Sequence, residues 1–279
     1  MFYQIPTTLP AELAELDGYI GQFKRGELAA AAMKARRVPF GCYEQRKDGT
    51  YMVRIRTTGG ALTPAQFKAI AETSARHGGS FVHVTTRQEF QIHRVPLASI
   101  IPAQRALAEA GLSTKGGGGN TVRNIVACPD SAVCSDAIFD VEPQAIAATE
   151  RLLADPLSLQ LPRKYKLAFA ACGKDCCGAT VQDLGFIARK QNGAAGFAVY
   201  VAGGMGGKAG SGVCSTILFP PPTPGSSPKP SNVSLTKTAT AKTNTSPGCA
   251  FSSRKSAWRS SVNCMRRNSP PSAPRSPRR

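Results

Sequence analysis

The sequence predicts an α+β protein with a disordered tail, and three observations carry that expectation. Residues 9–36 space apolar side chains three and four apart, as a helix with one buried face does, and of three later helix-like stretches one carries both start and stop residues. Other stretches, TYMVRIRTT above all, alternate apolar and polar residues at the period of two that suits a half-buried strand. Past residue 212 both periods vanish into Ser, Thr, Pro and Lys.

In chain order, PAELAELDGYIGQFKRGELAAAAMKARR favours helix, with Gly26 marking a break. TYMVRIRTT follows as a strand ending in a Gly59-Gly60 turn. LTPAQFKAIAETSARHG reads as a helix, because Thr63 suits the N-cap, Pro64 the first turn and Gly78 the end. SFVHVTTRQEFQIHRV is strand-like again, and PLASIIPAQRALAEAGL is a helix closing at Gly111. Strand, helix, strand, helix over residues 50–112 is one half of a ferredoxin-like unit. After it come a glycine run (TKGGGGNTVRNIVACP), a helix (FDVEPQAIAATERLLAD), a strand (LPRKYKLAFAA) and a strand entering a second glycine loop (GFAVYVAGGMGG). The glycine run would leave backbone N–H groups free to approach an anion, which makes Gly117, Gly118 and Asn120 candidate cofactor contacts.

Four of the nine cysteines form two clips, CPDSAVC with Cys128 and Cys134, and CGKDCC with Cys172 and Cys176. On a helical turn, Cys172 and Cys176 at i and i+4 would face the same way. Four thiolates in two short clips suffice for a four-iron four-sulfur (4Fe-4S) cluster. Zinc also accepts four thiolates, although its clips usually carry two to four intervening residues and the first clip here has five. Disulfides suit the chain poorly, since nine is odd and residues 1–23 lack a secretory signal's basic stretch and apolar run. A reducing cytoplasm is expected, with Cys42 and Cys177 as ordinary buried thiols. No run of 18 apolar residues offers a membrane span.

The strings TTRQEFQIH, NTVRN, CPDSAVC, LPRKYK and CGKDCC, in that order, resemble the siroheme-dependent sulfite and nitrite reductase family over roughly residues 1–207. The resemblance implies a ferredoxin-like half-domain followed by a siroheme/4Fe-4S α+β domain. It also implies six-electron reduction of sulfite to sulfide or of nitrite to ammonia. Carried over string by string, Arg87, Arg123, Lys164 and Lys166 contact the anion and Arg163 contacts siroheme carboxylates. Cys128, Cys134, Cys172 and Cys176 hold the cluster, with Cys176 shared with the siroheme iron. Lys164 and Lys166, two apart on a strand, would present one cationic face. His83 and His93 are expected as core or edge residues and His77 as a helix cap. The electron donor is expected to be ferredoxin or a flavoprotein. Family enzymes contain two such repeats, so a second repeat or a homologous subunit is a further expected partner. The single repeat seen here points to truncation and to a chain inactive as written.

The formal charge of +18 is unevenly placed. Residues 213–279 hold eleven Lys or Arg and no Asp or Glu, together with eleven of the 21 prolines. A single-base deletion between about Lys208 and Val213 would explain this, the alternative being a natural Ser/Pro/Lys tail. Shifting the frame by two bases largely forces the hydrophobic pattern of the hidden frame, which contains RLRFLIEKIGLEEFRELYEEEL, a charge-balanced string at helical spacing. On that account the tail is out of frame and the charge does not signal nucleic acid. The expected organisation is a helical segment (1–40), a ferredoxin-like half-domain (41–112), a siroheme/4Fe-4S domain (113–212) and the basic tail (213–279). Two other function classes are a 4Fe-4S electron-transfer protein without siroheme and a basic-tail nucleic-acid binder. The former leaves Arg87, Arg123, Lys164 and Lys166 without a purpose.

Overall fold

The structure, a computed structural model, describes residues 3–46, 49–191, 194–207 and 209–215. Two helices open it, α1 (Leu9–Lys24) and α2 (Ala30–Arg37), and Gly26 between them takes a left-handed φ of 78° that stops α1. Leu9, Leu13, Leu16 and Ile20 share the buried face of α1.

The first sheet contains β1 (Cys42–Glu44), β2 (Tyr51–Ile55), β3 (Val82–Val84) and β4 (Phe90–Val95) in the antiparallel order β1-β2-β4-β3. Helices α3 (Pro64–His77) and α4 (Ile100–Glu109) alternate with these strands as the sequence predicts. Thr63 and Gln66 form a reciprocal capping box at the start of α3, worth about 1 kcal/mol. Val53, Ile55, Ile70, Ile92, Ile100 and Leu107 fill the core between these helices and the sheet.

The strand-like stretch 80–95 is not one strand. It folds back as a hairpin, because the Thr85 hydroxyl accepts from the backbone N–H of both Arg87 (3.2 Å) and Glu89 (3.1 Å) and Gln88 takes a left-handed φ of 55°. Arg87 therefore rides on a turn, not within a strand.

The second sheet runs β5 (Val126–Ala127), β6 (Leu167–Ala170), β7 (Leu184–Gln191), β8 (Ala194–Val201) and β9 (Val213–Ser215), with β5, β6 and β7 parallel and the rest antiparallel. Helix α5 (Glu142–Ala154) connects β5 to β6. The predicted strand through LPRKYK starts later, at Leu167; before it only Tyr165 pairs, as an isolated bridge to Val122. At the start of the expected tail, β9 pairs with β8 through Ser215; the rest of the tail lies outside the described residues. Both sheets belong to one compact unit. No helix among the described residues is long and apolar enough to cross a membrane.

The Gln88 amide joins the sheets. Its Nε2 donates to the Ala127 carbonyl (2.8 Å) and its Oε1 accepts the Ala127 N–H (3.0 Å), so one side chain satisfies the backbone of β5 as a neighbouring strand would. The fully buried Asn124 adds to this, donating to the carbonyls of Thr57 (3.0 Å) and Arg87 (2.8 Å).

Candidate iron–sulfur and anion site

Both cysteine clips leave the carboxyl ends of adjacent parallel strands, where parallel sheets generally place their sites. Cys128 directly follows β5 and Cys172 comes two residues after β6. Sheet pairing continues into the clips, because the Cys128 N–H donates to the Phe169 carbonyl (2.9 Å) and the Ile138 N–H to the Ala171 carbonyl (2.9 Å). The first clip is a run of turns in which the Asp130 carbonyl accepts from the Val133 and Cys134 N–H groups at 3.0 and 2.8 Å.

The second clip is not the expected helical turn. Two successive turns meet at Asp175, whose φ is 48°, and the Asp175 carboxylate accepts from the Ala179 and Thr180 N–H groups and the Thr180 hydroxyl. Even so, this path brings the Cys176 sulfur to 3.3 Å from that of Cys128. Burial, and then the contact with Cys128, push the Cys176 thiol up to about 11; Cys172 adds to its field. Lys174 in turn feels Cys134 and Cys172, so all four thiols share one neighbourhood. All four are free, with Cys128 and Cys172 buried and Cys176 exposed.

Among the described residues no three His, Cys, Asp or Glu side chains converge as ligands of a single ion do. Each ligand of a four-iron cluster holds a different iron, so that set stands wider apart. Four free thiols in two clips at one sheet edge fit such a cluster.

The predicted cations gather at the amino ends of the same strands, away from the clips: Arg87 reaches Leu167 at the start of β6, and Arg123 and Lys166 precede β5 and β6. Arg87 donates to the Leu167 carbonyl (3.3 Å) and to Gln182 Oε1 (2.9 Å). Arg123 donates to the Gly117 carbonyl (2.7 Å). Burial holds Arg87 down to about 10 and also lowers Arg123. Lys166, half-buried, is lowered first by burial and then by Arg87 and Lys164, with Arg123 adding to their field and Asp183 opposing it. These four cations therefore lie within one another's fields. Arg87 Nε and Arg123 Nε are buried without a protein partner among the described residues, leaving donors for an anionic group. Arg163 and Lys164 are exposed on the loop before Tyr165, which Asn120 holds through Nδ2 to the Pro162 carbonyl (3.2 Å) and its own carbonyl to the Leu161 N–H (2.9 Å).

The glycine run does something other than expected. The N–H groups of Gly116, Gly117 and Gly119 go to the Pro39 carbonyl, the Thr114 carbonyl and the Tyr43 hydroxyl. A Cβ on Gly118 would sit 2.2 Å from the Val38 carbonyl. Gly117 and Gly118 are thus buried backbone contacts that let the loop lie against β1 and β2, and the run does not present a row of free donors.

Two site residues were not anticipated. Arg54 on β2 donates to the same Gly117 carbonyl as Arg123, at 3.0 Å. Glu89, 2% exposed, lies 3.8 Å from Arg54 and offsets the charges of Arg56, Arg87 and Arg123. The spacing of Arg54 on β2 and Arg56 just beyond its end is the available sequence signal, since residues two apart in extended chain share a face.

Two family models match the chain. Residues 43–110 match the family model of the nitrite/sulfite reductase ferredoxin-like half domain. Residues 118–225 match that of the nitrite and sulphite reductase 4Fe-4S domain. An assimilatory ferredoxin-dependent nitrite reductase of Haloferax mediterranei is 28% identical over 61% of this chain and 32% of its own length. A sulfite reductase [NADPH] hemoprotein beta-component of Acidithiobacillus ferrooxidans is 33% identical over 59% of this chain and 33% of its own. The solved structure of the Mycobacterium tuberculosis NirA protein shares the fold, with a TM-score of 0.63 at 21% identity over 75% of this chain and 44% of that one. The chain spans about a third of the length of the curated relatives it matches.

Proposed function

We propose that this chain, which belongs to the nitrite and sulfite reductase family, serves in the six-electron reduction of sulfite or nitrite with siroheme coupled to a four-iron four-sulfur cluster. The observation that carries this reading is a pair of free-thiol clips at the carboxyl ends of β5 and β6 together with a cluster of four cations at the amino ends, in which Arg87 Nε and Arg123 Nε are buried without a partner among the described residues. Cys128, Cys134, Cys172 and Cys176 would hold the cluster, and Cys176 would also serve siroheme. When bound, the coupled cofactors deliver electrons singly to the anion.

The chain's own residues supply the rest. Arg54, Arg87, Arg123, Lys164 and Lys166 attract and orient the anion, and Arg163 reaches siroheme carboxylates. Lys166 is a proton donor suited to the task because its proton is held less tightly than an ordinary lysine's. Ferredoxin or a flavoprotein supplies electrons, and a second repeat or homologous subunit completes the enclosure of siroheme. A cytoplasmic location is supported by the described cysteines, all free thiols. The charge of residues 213–279 is assigned to a shifted frame, and no nucleic-acid or membrane partner is proposed; resequencing the locus and finding the reported frame intact would overturn that assignment.

Nitrite binding to the cofactor-loaded protein tests the site. A lowered Lys166 pKa means that the positive charge is lost at lower pH than for a free lysine. Nitrite affinity should therefore fall on the way from neutral to alkaline pH, and Lys166→Arg should hold it to higher pH. An identical pH profile in Lys166→Arg contradicts the assignment.

A further inference from the structure

We propose that Cys177 is a positioning residue for the iron–sulfur site: its thiol donates to the Phe169 carbonyl that also holds the Cys128 amide, and so locks the second clip against the first. The inference rests on the reading of Cys128, Cys134, Cys172 and Cys176 as cluster ligands.

Vicinal cysteines on this turn point opposite ways. Cys176 is exposed, whereas Cys177 packs against the core of Val126, Ala168, Ala170, Ala179 and Ile187. From there its sulfur lies 3.3 Å from the Phe169 carbonyl oxygen, which already accepts the Cys128 N–H at 2.9 Å. One acceptor with two lone pairs thus ties a residue adjacent to Cys176 to the backbone of Cys128.

The acceptor is itself held firmly. The Phe169 ring stacks on Phe186 at 4.5 Å and 7°, and Phe197 meets both rings edge-on. Its backbone is fixed by pairing with β5 and β7. A rigid carbonyl shared by both clips sets the spacing of their sulfurs, including the 3.3 Å between Cys128 and Cys176.

The competing account is that Cys177 only fills space beneath the turn, and three substitutions separate the two. Cys177→Ser keeps a donor but is poorly suited to an apolar pocket, Cys177→Val fills the pocket without a donor, and Cys177→Ala does neither. After anaerobic reconstitution with iron and sulfide, the serine protein should lose its cluster to a chelator at close to the wild-type rate. The alanine and valine proteins should lose theirs roughly 10-fold faster and show an altered reduction potential. Valine behaving as wild type, with serine the worst of the three, overturns the proposal.

A second readout needs no cluster. With glutathione disulfide as oxidant, the Cys128 and Cys176 thiols give up two electrons and two protons to form one S–S bond, and two glutathione thiols are released. Mass analysis of the cluster-free protein should show this bond forming more slowly in Cys177→Ala and Cys177→Val than in wild type or Cys177→Ser. Equal rates in all four proteins overturn the positioning role. A wild-type chain that takes up no cluster overturns the ligand reading, and the crosslinking rates still decide the role of Cys177.

Discussion

Cys176→Ser is expected to bring the iron and sulfide of the reconstituted protein down to background, while Cys214→Ser leaves both at the wild-type level. Both cysteines are exposed, so neither change opens a cavity and general destabilisation does not separate them. Their surroundings do. Cys176 lies 3.3 Å from Cys128 at the carboxyl ends of β5 and β6, within the field of Cys172. Cys214 lies on β9, paired with Tyr200. A serine hydroxyl at position 176 keeps the turn but replaces a soft sulfur ligand with a hard oxygen that iron–sulfur clusters use poorly. Equal iron retention in the two variants would show that the clips do not hold the metal.

The second large effect is expected at Glu89. It is the one fully buried acidic residue among those described, and it lies 3.8 Å from Arg54 while offsetting the charges of Arg56, Arg87 and Arg123. Glu89→Gln preserves volume, so the cost is electrostatic: cations buried by the fold lose their internal counter-charge, a loss of about 3–5 kcal/mol when a buried pair is broken. The same change strengthens the positive field, so nitrite or sulfite should bind more tightly than to wild type and restore part of the lost stability. Chemical denaturation with and without nitrite checks both parts. Stability unchanged and affinity unchanged would mean that Glu89 does not balance the arginine cluster.

These two positions show what the sequence discloses and what it conceals. The four cysteines were legible because spacing is a one-dimensional signal. Helix α3 was legible because Thr63, Pro64 and Gly78 each act locally on the backbone. The hairpin at 80–95 was not, because the turn contains Thr, Arg and Gln where a glycine or asparagine would announce it, and it depends on the Thr85 hydroxyl. The glycine run misled for a related reason. Close backbone packing and anion binding both demand glycine, and only the Val38 carbonyl facing Gly118 distinguishes them. Glu89 and Arg54 read as ordinary strand charges until β2, the β3–β4 turn and the 117–123 loop come together. The backbone roles of Gln88 and Asn124, which join the two sheets, likewise exist only across long sequence separations.

The most direct test of the account is a visible absorption spectrum, with iron, sulfide and zinc analysis, of the 279-residue chain purified without air from cells able to make siroheme. About four irons and four sulfides per chain, with the broad absorbance of a cluster, is the predicted result, and tetrapyrrole bands in the same preparation would show that this repeat also retains siroheme. A colourless protein carrying about one zinc per chain would contradict it.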